Sequence, residues 1–183
     1  TPQATERVSL TLNKYAVASP FAVIHTHSLN RSKDWLPERF AEVAKHLISQ
    51  YKFSVILNGS GDDYDFNEQI SQLVDSQKIH NASGWFTLSD LPALLQKAVV
   101  MVTVDSGPMH IAAAVNTPIV ALVLPGYFER VFPYRQRENT LTVQEKEITA
   151  LVNSGDFQGR VLDAISVEDV VAIIDRLLSP THT

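Results

Sequence analysis

Residues 104–118 read Val-Asp-Ser-Gly-Pro-Met-His-Ile-Ala-Ala-Ala-Val-Asn-Thr-Pro and hold the densest chemistry in the chain. An apolar run over 98–104 stops at Asp105-Ser106-Gly107-Pro108 and gives way to a small-residue segment, the pattern of a strand feeding a helix. Asp105 or Ser106 suits the helix cap, Gly107 permits close approach of a backbone or ligand, and Pro108 suits a first turn, where its missing N–H costs little. The N–H groups of such a turn point outward at the positive end of the helix dipole and favour a phosphate or carboxylate. His110 follows about one turn inside the helix, within reach of the same space. The same residues also fit a plainer reading, in which Asp105 and Ser106 only cap the helix and His110 is an ordinary, partly buried histidine.

A second candidate is Asn58-Gly59-Ser60-Gly61-Asp62-Asp63. Position 64 is Tyr, so the third glycine of a dinucleotide fingerprint is missing, and no GxxxxGK[ST] phosphate loop occurs anywhere. The turn can still deliver Asp62 or Asp63 to a ribose or sugar hydroxyl, since a carboxylate accepts more than one hydrogen bond; an exposed, solvated carboxylate pair is the alternative. Lys33 offers a local positive charge for a phosphorylated small molecule. His25 and His27 flank Thr26 on one strand face but need a third ligand from elsewhere to hold a metal, and none is expected. The chain has no cysteine, which excludes disulfides, thiolate metal sites and cysteine nucleophiles.

These residues need a frame to position them. At 183 residues and 45% hydrophobic content, the chain can bury one substantial core. Its net charge of −5 argues against broad attraction to nucleic acid or anionic lipid. No stretch approaches the ~20 apolar residues of a membrane span. Apolar segments at 21–25, 53–57, 98–104 and 118–124, with a weaker one at 79–82, alternate with helical patterns at 35–50, 65–76, 88–97 and 167–178. Such alternation without hairpin signals predicts an α/β fold, a Rossmann-like, doubly wound parallel sheet that binds ligands at its strand carboxyl ends. Residues 1–7 read as polar and irregular, 1–19 as a linker or a partial element of a preceding region, 20–179 as the domain and 180–183 as a tail. The aromatic and basic stretch 126–138 either covers a nucleotide, faces a partner or folds onto the core edge.

Asp105-Ser-Gly-Pro-Met-His110-Ile-Ala-Ala-Ala, followed by Pro118 and an apolar strand, resembles the hallmark of family nine glycosyltransferases, the lipopolysaccharide heptosyltransferase family. Upstream, His25, the 32–40 segment Ser-Lys-Asp-Trp-Leu-Pro-Glu-Arg-Phe, Asn58-Gly-Ser-Gly-Asp-Asp63 and Ser83-Gly84-Trp85-Phe86-Thr87-Leu88-Ser89 occur in the family's order, so the resemblance covers about 20–178. It implies one half of a GT-B fold, the carboxyl-terminal domain that binds a nucleotide-sugar donor, usually ADP-heptose, without a metal or other cofactor. By matching positions it implies Lys33, with Ser28 in the loop before it, on the diphosphate, and the backbone of Ser106 and Gly107 on its oxygens. Asp63 stands where the family carries a ribose-binding glutamate, and Asp105 and His110 lie near the sugar and diphosphate. No catalytic residue is expected in this chain: the general base and the glycolipid acceptor belong to an amino-terminal domain whose motifs do not occur here. The implied protein is an inverting enzyme of envelope glycan synthesis in the cytoplasm, at most peripherally attached to the inner face of its membrane. Two alternatives stay open. One is a non-catalytic nucleotide-sugar-binding or scaffold module, favoured by the departure at Leu124-Pro125-Gly126-Tyr127-Phe128, where many members carry Gly-Pro-Thr. The other, a receiver-like regulatory domain, fits Lys33 and the alanine-rich helix poorly.

Overall fold

A computed structural model describes residues 1–28, 34–125, 132–142, 153 and 161–179. The strands are β1 (Phe21–His25), β2 (Ser54–Gly59), β3 (Ile79–Ser83), β4 (Met101–Val104), β5 (Ile119–Val123) and β6 (Thr140–Thr142). They form one six-stranded sheet in the order β3-β2-β1-β4-β5-β6, and every pairing is parallel. The helices are α1 (Pro2–Lys14), α2 (Pro37–Tyr51), α3 (Tyr64–Val74), α4 (Leu91–Leu95), α5 (Gly107–Ala114) and α6 (Val167–Leu178).

The central strands are buried on both faces, as near-continuous apolar runs require. Their side chains alternate between two cores. Ala22, Ile24, Val55, Leu57, Val102 and Leu122 face one containing Phe40, Val43 and Leu47 of α2, Ile70 of α3, and Val170 and Ile174 of α6. Phe21, Val23, Ile56, Met101 and Ala121 face the other, with residues of α1, α4 and α5. In α2, Phe40, Val43, Ala44 and Leu47 repeat at helical spacing, and Pro37 opens the helix at its first turn. Lys52 and Asp75 end α2 and α3 in the left-handed conformation.

Three sequence expectations change. Residues 1–7, expected to be irregular, form the first half of α1: the Thr1 side chain caps the helix, and Ala4, Val8 and Leu12 bury one face. Ser89 and Asp90 are residue types that suit the cap of the helix expected over 88–97, yet the Asp90 side chain makes no capping bond to α4 and accepts hydrogen bonds from the Thr87 N–H and Oγ1 and from Arg7 of α1 instead. The sequence also gives no hint of β6. Its neighbouring turn is held by Gln136, whose Oε1 accepts from the Ile119 N–H at 2.6 Å and whose Nε2 donates to the Thr117 carbonyl at 2.7 Å. Of 126–138, only 132–138 is described; Tyr134 there is exposed and the Arg137 guanidinium lies over the Phe132 ring. No helix among the described residues is long and apolar enough to cross a membrane.

Candidate functional site

The sheet order reverses between β1 and β4: from β1 the chain winds outward to β2 and β3, and from β4 outward to β5 and β6. Ligands of open α/β sheets bind outside the strand carboxyl ends at such a switch point. The register Val23↔Met101, Ile24↔Val102, His25↔Thr103 brings the two strand ends level. Ser28, three residues beyond β1, and the Asp105-Ser106-Gly107 turn that follows β4 therefore leave the sheet from adjacent strand ends. Lys33 lies outside the described residues.

Ser106 occupies the N-cap position of α5 in extended conformation (φ −153°, ψ 163°), yet its side chain makes no capping hydrogen bond. The plain capping reading therefore fails for Ser106. Its Oγ turns back to Thr103 Oγ1 at 3.2 Å, and Thr103 Oγ1 in turn donates to the Val104 carbonyl at 2.7 Å. Leaving the first N–H groups of a helix uncapped by its own side chain suits an anion-binding terminus. Among the described residues, a Cβ on Gly107 meets no atom within 4 Å, so they leave the space in front of the turn open. Asp105 is buried, with its N–H donating to the Leu122 carbonyl at 3.1 Å. His110 is exposed, unlike the partly buried histidine of the plainer reading, and stands on the first turn of α5.

At the end of β2, Asp63 is buried and Asp62 exposed, so the two do not form a solvated carboxylate pair. Asp63 Oδ2 accepts from the Ser60 N–H at 2.7 Å and from Ser60 Oγ at 2.8 Å, closing a capping box over the short 3₁₀ turn Gly61–Asp63. Gly59 makes this possible. A Cβ there would stand 2.8 Å from Asp63 Cβ and Oδ2.

The two histidines of β1 and its exit serve different contacts. His25 Nδ1 lies 3.1 Å from the Asn58 carbonyl, and burial lowers its pKa despite that hydrogen bond. His27 Nδ1 lies 2.9 Å from Asp34 Oδ2, and its ring packs on Phe66. Among the described residues, no group of three or more His, Cys, Asp or Glu side chains is placed to hold a metal ion.

Sequence reasoning missed the polar side chains that brace this edge. Thr26 Oγ1 donates to Asn67 Oδ1 at 2.8 Å, and Asn67 Nδ2 donates to Ser83 Oγ at 2.9 Å, which joins the exit of β1 to the end of β3 through α3. Thr103 was readable in principle: a hydroxyl inside an apolar run needs a partner. Asn67 carried no such signal, because both of its partners are distant in sequence.

The sequence profile of glycosyltransferase family 9 (heptosyltransferase) matches residues 2–158. Lipopolysaccharide heptosyltransferase 3 of Escherichia coli is 27% identical over 185 residues, which cover 100% of this chain and 54% of that protein. Lipooligosaccharide heptosyltransferase 2 of Haemophilus influenzae is 33% identical over 131 residues, 70% of this chain and 37% of its own. The structure of E. coli ADP-heptose LPS heptosyltransferase II superimposes with a TM-score of 0.73 at 25% identity, covering 94% of this chain and 51% of that one. A family 9 glycosyl transferase of Veillonella parvula gives 0.74 at 23% identity, a likeness of fold. The chain spans about half the length of the relatives it matches from end to end. The profile match runs from α1 past β6 and takes in every strand of the sheet, and the chain accordingly belongs to glycosyltransferase family 9, the heptosyltransferase family.

Proposed function

We propose that this chain is the donor-binding half of a glycosyltransferase that moves heptose, or a related sugar, from ADP-heptose to lipopolysaccharide core or another envelope glycan. The observation that carries the proposal is the start of α5: at the switch point it opens on Gly107, with no atom of the described residues within 4 Å of the position a Cβ would take. Support comes from the family and from the E. coli relative whose name specifies ADP-heptose, LPS heptosyltransferase II.

In this reading the diphosphate lies across the β1 and β4 exits. The backbone N–H groups of Ser106 and Gly107 donate to its oxygens, and Ser28 and Lys33 reach it from the other strand. Asp63 takes the ribose. Ser60 holds its Oδ2 through its N–H and Oγ, which fixes the carboxylate at the end of β2. Asp105 binds sugar hydroxyls, since a carboxylate placed on the diphosphate itself would be repelled, and His110 faces the sugar and diphosphate from the first turn of α5.

Transfer breaks the bond between the anomeric carbon and the diphosphate oxygen as the acceptor hydroxyl attacks from the opposite side. Negative charge grows on the leaving ADP. The donors of the α5 terminus and the charge of Lys33 supply the stabilisation. The base that takes the acceptor proton belongs to the other half of the enzyme. This chain alone therefore binds donor and transfers nothing.

The test is a donor screen. Calorimetry on this chain with ADP, ADP-heptose and other nucleotide sugars should give saturable binding with preference for ADP-linked donors, and the complete protein should release ADP in the presence of a core acceptor. Donor binding without turnover by the complete protein would favour a scaffold role, in line with the Leu124-Pro125-Gly126-Tyr127-Phe128 departure. No affinity for any nucleotide would end the proposal.

A further inference from the structure

The carboxyl edge of the sheet contains one residue that touches the ends of two strands without belonging to either. Asn67 sits on the first turn of α3, and its side chain is wholly buried. Its carboxamide is used at both ends: the oxygen accepts from Thr26 Oγ1 at 2.8 Å and the nitrogen donates to Ser83 Oγ at 2.9 Å. Thr26, also wholly buried, is the first residue past β1 and stands two positions before Ser28. Ser83 closes β3 and donates onward to Asn81 Oδ1 at 2.8 Å, while Asn81 Nδ2 reaches back to the Tyr64 carbonyl at the start of α3. The amide thus bridges β1 and β3 across the end of β2. Gly59, the last residue of β2, admits it: a Cβ there would stand 3.2 Å from Asn67 Nδ2.

A core side chain of this volume is normally apolar. Burying a carboxamide costs free energy unless every bond is made, and a satisfied buried network fixes one arrangement of the groups it joins. Leucine fills nearly the same volume, so packing alone does not call for asparagine. What leucine cannot do is hold the Thr26 hydroxyl. We infer that Asn67 is a positioning residue for donor binding: through Thr26 it sets the path of the chain leaving β1, and thereby the place of Ser28 two residues on. The inference rests on the proposed diphosphate site, and Asn67 itself makes no contact with the donor.

The test uses the whole chain and ADP as the probe. Thr26→Val removes only the hydroxyl and keeps the shape; Asn67→Leu removes both hydrogen bonds; Ser83→Ala cuts the far end of the network. Each variant is measured for thermal melting and, well below its melting temperature, for ADP affinity by calorimetry. Thr26→Val and Asn67→Leu should each weaken ADP at least fivefold, and the double variant should be no worse than Asn67→Leu, because the two changes cut the same link. Ser83→Ala should lower the melting temperature and leave ADP affinity within twofold. A role confined to folding moves the melting temperature of all three and the affinity of none. Should wild type bind ADP while Thr26→Val and Asn67→Leu match it within twofold, the inference is overturned and the donor site stands. Wild type that binds no ADP overturns both.

Discussion

Replacing Gly107 with aspartate should separate donor binding from folding. Gly107 is the first residue of α5, is exposed, and among the described residues has nothing within 4 Å of where a Cβ would go. A carboxylate there sits at the positive end of the helix dipole, which favours it by about 0.3–1 kcal/mol. For a chain of this size that raises the melting temperature by up to about 4 °C, and no clash subtracts from it. The same carboxylate faces the proposed diphosphate. One pair of like charges about 4 Å apart costs roughly 4 kcal/mol at an effective dielectric constant of about 20, and salt and water reduce this. A loss of about 2–4 kcal/mol follows, roughly 30- to 1000-fold in Kd. Gly107→Ala, which adds a methyl group and no charge, controls for shape. Calorimetry with ADP and a thermal melt on the same samples read out both quantities. Aspartate that binds ADP as well as glycine would refute the anion site at α5; aspartate that destabilises the fold by more than about 1 kcal/mol would refute the open space in front of it.

Lys33→Ala should weaken ADP binding by about 1.5–3 kcal/mol, the range for a lost hydrogen bond to a charged group, as read by calorimetry. Gly59→Ala should destabilise the fold by about 1–3 kcal/mol in chemical denaturation, because its methyl would stand 2.8 Å from Asp63 Cβ and Oδ2 and force the capping box apart. At the α2–α6 contact, burial raises the pKa of Asp175, but hydrogen bonds from His46 Nε2 and Tyr51 Oη, at 2.7 Å each, outweigh it and leave the pKa lowered. Its contribution is therefore complete above an unfolded-state pKa of about 3.9 and fades as pH falls below that value. Asp175→Asn should lower the melting temperature at pH 6 and have a smaller effect at pH 3; an effect that grows on acidification would contradict the sign.

The parts legible in the sequence are those with short-range causes. Apolar runs mark strands and period-3.6 patterns mark helices locally, so β1, β2, β4, β5, α2, α3 and α6 were all readable, and α6 has the predicted bounds. Helix α1 was missed although Ala4, Val8 and Leu12 recur every fourth residue, because polar residues surround that stripe and mask its one apolar face. Strand β6 spans Thr140–Thr142, too short for alternation to register, and its neighbouring turn depends on Gln136, a single side chain that mimics a backbone amide against β5. At the site, the α5 turn was legible because glycine, proline and capping residues have local meanings. The reassignment of Ser106 to Thr103, of Asp90 to Arg7 and of Asn67 to Thr26 and Ser83 was not, since side-chain bonds between distant segments have no local pattern.

ADP at the crevice between β1 and β4 is tested most directly by following the backbone amide resonances of this chain during an ADP titration. The largest shifts should fall on Ser106 and Gly107, with smaller ones at Ser28, Ser60 and Asp63, all saturating with one Kd. Shifts that cluster instead around His46 and Val171 on the α2–α6 face, or resonances unmoved by ADP, would contradict the placement.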